Sequence, residues 1–221
     1  SMSDTHLHPK VMEAQQMMED GRMDRREFLR VATLLGVSAG TAYTMAGLIE
    51  PAEAATDGTL PFPADDPNAK SGGILKVGME VQKMEDPATF SWVEMSNQAR
   101  HILEHLSMTG PDNITRPMLA ESWQASDDLT SWTFNIRKGV KWHNGDELVA
   151  DHIKFNFERW MNPDLGSSNV GLSSISGMLE EVDGKKKMVD GSIEVIDSHT
   201  IRFNLQKPVL SFPEDMYNYP T

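Results

Sequence analysis

Residues His101-Ile102-Leu103-Glu104-His105 follow the pattern H-x-x-E-H. On a helix this spacing sets both imidazoles on one face at i and i+4, where neutral rings bind zinc and the glutamate acts as general base. A third protein ligand is not identifiable, and a five-residue pattern recurs by chance. The other closely spaced pair, His6 and His8, lies in the N-terminal segment. The chain has no cysteine, which excludes disulfides, thiolate nucleophiles and Cys-ligated zinc. It also lacks a phosphate-binding glycine loop. A zinc metallopeptidase built on His101, Glu104 and His105 is therefore the enzymatic alternative to a role in binding, and no cofactor is expected from the motifs.

The elements that would position such residues must come from 221 residues, 39% hydrophobic and 24% charged. That is enough for one large or two small globular domains. With 33 acidic against 20 basic side chains, the net charge of -13 opposes the phosphate-neutralising surface of a nucleic-acid binder. Lys185-Lys186-Lys187 is a short basic run in this acidic background and reads as a solvated loop tip.

Residues 1–54 read as a tag remnant (Ser1-Met2) followed by an address. Arg25 and Arg26 stand before Phe28-Leu29 and a further basic residue, Arg30, and a mildly apolar run follows from Val31 to Ile49. The run resembles a twin-arginine export signal. Gly36, Ser38, Gly40, Thr41, Thr44 and Gly47 make it less apolar than a membrane span requires. Ala52-Glu53-Ala54 offers a small-x-small cleavage pattern after Pro51, which predicts cutting after Ala54. Removing residues 1–54 leaves 15 basic and 25 acidic side chains, so the exported part is acidic in its own right.

Residues 55–73 are rich in Thr, Asp, Gly, Pro and Asn and read as a linker. Ile74 to Met79 predicts a strand, and Asp86-Pro87 a turn after it. Ala99, Ile102, Leu103 and Leu106 recur at helical spacing and predict a helix from Met95 to Leu106. Trp132, Phe134 and Ile136 alternate along a half-buried strand. Asn144-Gly145 marks a tight turn. Ile153, Phe157, Trp160 and Met161 form the apolar stripe of a helix from Ala150 to Met161, ended by Pro163. Ser192 to Ile196 and Thr200 to Leu205 predict an antiparallel pair.

These residues carry a family resemblance. Leu119-Ala120-Glu121-Ser122-Trp123, Ser126 to Leu129, Trp132-Thr133-Phe134, Arg137 to Trp142 and Asn144-Gly145 resemble the extracytoplasmic solute-binding proteins of peptide and nickel ABC transporters. The resemblance runs on through Phe155 to Arg159, Ile193 to Leu205 and Lys207-Pro208, and back to Gly72-Gly73. Two positions depart from it: Val149 replaces a helix-capping Thr, which weakens that helix start, and His105 replaces a Gly. The signature aromatics Trp132, Phe134, Trp142, Phe157 and Trp160 are core and turn chemistry rather than ligand contacts.

The resemblance implies an α/β, two-lobed periplasmic-binding-protein-like fold of the large peptide-binding class (type II), closing on its ligand by a hinge. This chain would hold most of the first lobe, with residues 74–106 beginning the core domain, residues 107–221 forming an accessory mixed α/β domain, and the second lobe absent. It implies a periplasmic monomer, exported by the twin-arginine translocase, that delivers a peptide or similar small solute to an inner-membrane permease. Alignment of the Asp86-Pro87 turn puts Phe90, Ser91, Trp92, Val93 and Glu94 toward the ligand, which an extended peptide would approach by backbone pairing. Trp92 would wall or stack on the ligand, and Glu94 would meet a cationic group. The loop Gly166 to Asn169 adds Asn169 as a further candidate.

Overall fold

The computed structural model describes residues 7–49 and 70–218. The predicted cleavage site after Ala54 and nearly all of the 55–73 linker lie outside these residues. No helix among the described residues is long and apolar enough to cross a membrane.

Three helices open the chain: α1 (Pro9–Glu19), α2 (Arg25–Leu34) and α3 (Ala39–Met45). Asp24 caps α2 by accepting the Glu27 N–H at 2.8 Å, and Ser38 caps α3 through the Thr41 N–H. Phe28, Leu29, Val31, Ala32 and Leu34 give α2 a buried face. Phe28, Leu29, Val31 and Ala32 of that face join the same apolar core as Trp123, Trp132 and Phe134.

The centre of the domain is a four-stranded antiparallel sheet in the order β3-β4-β8-β7, built from Ala120–Ala125, Ser131–Ile136, Thr200–Asn204 and Ile193–Asp197. Alternation along β4 buries Trp132, Phe134 and Ile136 on one face, as their spacing requires. Phe203 and Ile201 on β8 stand opposite Trp132 and Phe134. Helix α5 (Ala150–Trp160) lays Ile153, Phe157 and Trp160 on the sheet, with the Phe157 ring 4.4 Å from that of Phe203. Helix α7 (Phe212–Asn218) closes the cluster through Phe212, stacked 6.0 Å from Trp132.

Val149 provides no side-chain acceptor at the start of α5. His152 makes only the return half of a capping box, its Nδ1 accepting the Val149 N–H (3.4 Å) as well as the Trp142 Nε1–H (2.9 Å). Trp142 is thereby held over the outside of α5 and remains 44% exposed, which corrects its assignment to the core.

Other expectations change where long-range partners decide. Ile74 to Met79 form no strand; Ile74 and Leu75 are each 88% exposed, and no described strand pairs with them. The helix expected over 95–106 is α4 (Val93–Ala99), with Arg100 at its C-cap. Leu103 to Leu106 leave the helical path, and the segment from Ser107 pairs as β1 (Ser107–Thr109) with β2 (Thr115–Pro117). The basic run lies along β6 (Lys185–Met188) instead of at a loop tip. Lys186 and Lys187 stand opposite Glu181 and Glu180 of β5 (Leu179–Val182). The tip is Asp183-Gly184, both with positive φ, the backbone of a type I′ hairpin.

A single-turn helix, α6 (Ser173–Ser176), docks on α7 through Asp215, which is buried and accepts the Ser174 N–H at 3.0 Å. Burial pushes the Asp215 carboxyl above its ordinary range, against the pull of its hydrogen bonds. A raised folded-state pKa means that this group favours folding at acid pH, and that the contribution is lost as pH rises through the folded value. Asp215→Asn keeps an acceptor without the charge. It is expected to be at least as stable as the parent at neutral pH, with the difference vanishing near pH 4 and below, as read by urea unfolding across pH. An Asp215→Asn variant clearly less stable than the parent at neutral pH would contradict the assignment.

Candidate functional site

Asp86 organises the segment that the sequence places toward a ligand. Its carboxylate accepts the Ala88 N–H at 2.9 Å and so caps the short 3-10 turn Pro87–Thr89. Arg159 of α5 donates Nη1 to both Asp86 oxygens, at 2.7 and 2.6 Å. Burial pushes the Asp86 carboxyl up, but the Arg159 and Ala88 hydrogen bonds and the Arg159 charge outweigh it and hold it below its usual range. The turn is thus tied to the helix that packs on the sheet.

A second segment fastens the same turn from another side. Ser167 donates its hydroxyl to the Ala88 carbonyl at 3.0 Å, and Ser168 donates to the Phe90 carbonyl at 2.6 Å. The two stretches singled out in the sequence, 90–94 and 166–169, are therefore neighbours, although they lie far apart in the chain. Phe90 is buried and anchors the segment, while Trp92 is 54% and Val93 69% exposed. Ser91 is exposed and Glu94 half-buried. Phe90 and Trp92 have extended backbones, but Val93 already begins α4. The extended backbone thus ends at Trp92, short of the 90–94 stretch singled out in the sequence.

Asn169 is fully buried. Its backbone N–H donates to Ser167 Oγ at 3.1 Å, but neither its Oδ1 nor its Nδ2 has a partner among the described residues. Buried polar side-chain atoms are seldom left so. This amide presents one unused acceptor and an unused donor group next to Ser168. Its burial and its unmatched hydrogen-bonding capacity were not readable from a Ser/Asn-rich loop.

The H-x-x-E-H residues do not converge. His101 is exposed in the turn after α4, and His105 is buried and stacks edge-on against Tyr217 at 5.2 Å. With the helix ended at Ala99, the i and i+4 geometry that zinc ligation needs is not formed. No group of three or more metal-ligating side chains occurs among the described residues. A cavity of about 240 Å³ opens nearby, lined by Leu103, Glu104, Leu106, Trp142, His152 and Phe157 among others. Neither His101 nor His105 lines it, and none of residues 90–94 or Asn169 does.

An antiparallel sheet covered by an aromatic-striped helix, with an anchored extended segment beside it, makes a mixed α/β domain. Residues 115–221 match the model of the bacterial extracellular solute-binding proteins, family 5 (middle region). The periplasmic oligopeptide-binding protein OppA of Escherichia coli is 34% identical over 138 residues, 61% of this chain and 25% of that protein. The dipeptide-binding protein DppE of Bacillus subtilis is 29% identical over 182 residues, 79% of this chain and 32% of its own length. Among solved structures, Haemophilus influenzae OppA in complex with RPPGFSPFR superposes with a TM-score of 0.51 at 30% identity, covering 61% of this chain and 28% of that one. The Escherichia coli murein tripeptide-binding protein MppA gives 0.53 at 24% identity over 62% and 28% of the two chains. The chain thus spans about a quarter to a third of the length of these relatives.

Proposed function

We propose that the complete protein is the solute-binding component of an ABC importer, capturing a peptide or similar small solute in the periplasm and handing it to the membrane permease. The observation that carries this reading is the likeness of the chain to peptide-binding proteins, one of them solved with a bound nonapeptide. Residues 90–94 and Asn169 form the first-lobe share of the ligand site in this reading. Trp92 walls the ligand, Glu94 faces a cationic group, and the extended 90–92 backbone pairs with the ligand backbone. The Asp86–Arg159 pair and the Ser167 and Ser168 hydroxyls hold that segment in position. Residues 74–106 begin the core of the first lobe, and residues 107–221 form its accessory domain. Closure of a second lobe over the ligand completes the site. Residues 1–54 direct export by the twin-arginine route.

Backbone pairing makes a definite prediction for the complete protein. Short peptides that differ only in side chains should bind with similar Kd by calorimetry, whereas N-methylation of a central ligand amide should weaken binding by about tenfold or more, the loss of one buried hydrogen bond with its partner left unpaired. Equal affinity for methylated and unmethylated peptides would contradict strand-like pairing.

A further inference from the structure

The segment that reads as an export signal is bound to the domain behind it. Arg30 of α2 donates Nε and Nη2 to the two oxygens of Glu214 on α7, at 3.0 and 2.7 Å, a two-point pair that is three-quarters or more buried on both sides. The indole N–H of Trp123 on β3 donates to the Leu34 carbonyl at the end of α2, at 3.0 Å. Gly36 follows with φ +89, and a Cβ there would meet the Trp123 carbonyl oxygen at 2.5 Å, so only glycine permits the approach. His8 accepts the Lys10 N–H on Nδ1, which puts its ring proton on Nε2, 3.0 Å from the Ser126 carbonyl. These contacts join residues separated by 89 to 184 positions in sequence. The docked helix treats the export motif unevenly: Arg25 and Arg26 are exposed, while Phe28 and Leu29 are 0% and 4% exposed.

We propose that residues 8–48 are an intramolecular cap on the surface formed by Trp123, Ser126 and Glu214, and that docking of the cap and recognition of its Phe28-Leu29 by an export receptor are mutually exclusive. The surface fits a helix bearing an apolar face, one arginine and a C-terminal glycine, and this chain supplies that helix itself. The second half of the proposal rests on the twin-arginine reading; the first half does not. If the cap is docked, the arginine pair remains available from solvent, but the apolar pair that follows it becomes available only on release of α2. Export would then draw on molecules in which the cap has not yet closed or has reopened.

The full chain, with a site-specific protease sequence inserted between Ala54 and Ala55, tests the docking. After cutting, the N-terminal fragment should co-elute with the remainder, and amides 28–35 should exchange as slowly as those of β4. A fragment that elutes alone, with unprotected amides, would overturn the cap. Glu214→Arg should speed exchange at 28–35 by about tenfold or more, since it leaves Arg30, three-quarters buried, against a like charge. Adding Arg30→Glu to the same chain should restore protection, and failure of that rescue counts against the pair. For the complete protein in cells, Glu214→Arg leaves the arginine motif intact and should increase the exported fraction. If Lys replacement of Arg25 and Arg26 abolishes export while Glu214→Arg leaves it unchanged, the exclusivity is wrong. If Lys replacement changes nothing, the twin-arginine reading fails together with the exclusivity, and the cap stands or falls by exchange alone.

Discussion

Replacing Trp132 with alanine is expected to lower the stability of the domain by about 3–5 kcal/mol, the range for removing a large aromatic side chain from a core. Trp132 is fully buried near the start of β4, its ring 6.5 Å from that of Phe134 and 6.0 Å from that of Phe212. Its indole N–H donates to the Val209 carbonyl at 3.0 Å, so truncation both opens a cavity and strips a buried acceptor of its partner. Against a typical total of about 5–15 kcal/mol for a domain, the loss is most of a weak stability and a large part of a strong one. Trp132→Phe keeps most of the ring volume and should cost roughly 1–3 kcal/mol, chiefly from the lost hydrogen bond. Urea unfolding reads both values from the midpoint at constant slope. A loss below about 1 kcal/mol for the alanine variant would place the structural centre elsewhere, because that is the cost expected of an ordinary substitution.

Trp92→Ala should behave in the opposite way. The side chain is 54% exposed, so its removal should leave the unfolding midpoint of the unliganded protein within about 0.5 kcal/mol of the parent. If it walls the ligand, its loss should raise the Kd of the complete protein for its peptide by about 30-fold, equivalent to about 2 kcal/mol, the threshold of an interface hot spot. Calorimetric titration of both proteins with the same peptide separates the two effects. An unchanged Kd would remove Trp92 from the site and leave the anchored 90–92 backbone as the first lobe's contribution.

The contrast between these two tryptophans shows what was readable in the residues. Trp132, Phe134 and Ile136 alternate, and Ile153, Phe157 and Trp160 repeat at helical spacing, so local periodicity alone identified β4, α5 and the face each buries. The β7–β8 pair was equally evident from two β-branched runs around a short polar turn. Periodicity fails where a partner distant in sequence decides. Ile74 to Met79 have the composition of a strand but no described neighbour to pair with, and remain exposed. Leu103 and Leu106 continue a helical repeat, yet the backbone leaves the helix after Ala99 and the following residues join the β1–β2 ladder. β5 and β6 were missed because the lysine run read as a solvated loop tip, although Lys186 and Lys187 are cross-strand neighbours of Glu181 and Glu180.

The candidate site was legible only as two separate stretches: the Asp86-Pro87 turn pointed to residues 90–94, and the loop 166–169 offered Asn169 as a further candidate. Their joining through Ser167, Ser168 and the Ala88 and Phe90 carbonyls is a tertiary fact. So is the docking of α2: Phe28, Leu29 and Leu34 read as part of an address because nothing in their spacing announces Trp123 or Glu214. The H-x-x-E-H pattern misled for the converse reason, since its chemistry depends on a helix that the chain does not form there.

Thermal unfolding of the complete protein in the presence of short peptides, oligosaccharides, chelated nickel or zinc tests the central claim most directly. A ligand at a hundredfold over its Kd adds about 2.7 kcal/mol of stability, a readily measured upward shift of Tm. Stabilisation by peptides, weakened in Trp92→Ala, is the predicted result. Stabilisation by zinc alone, abolished by His101→Ala, would contradict the binding-protein account and restore the metallopeptidase.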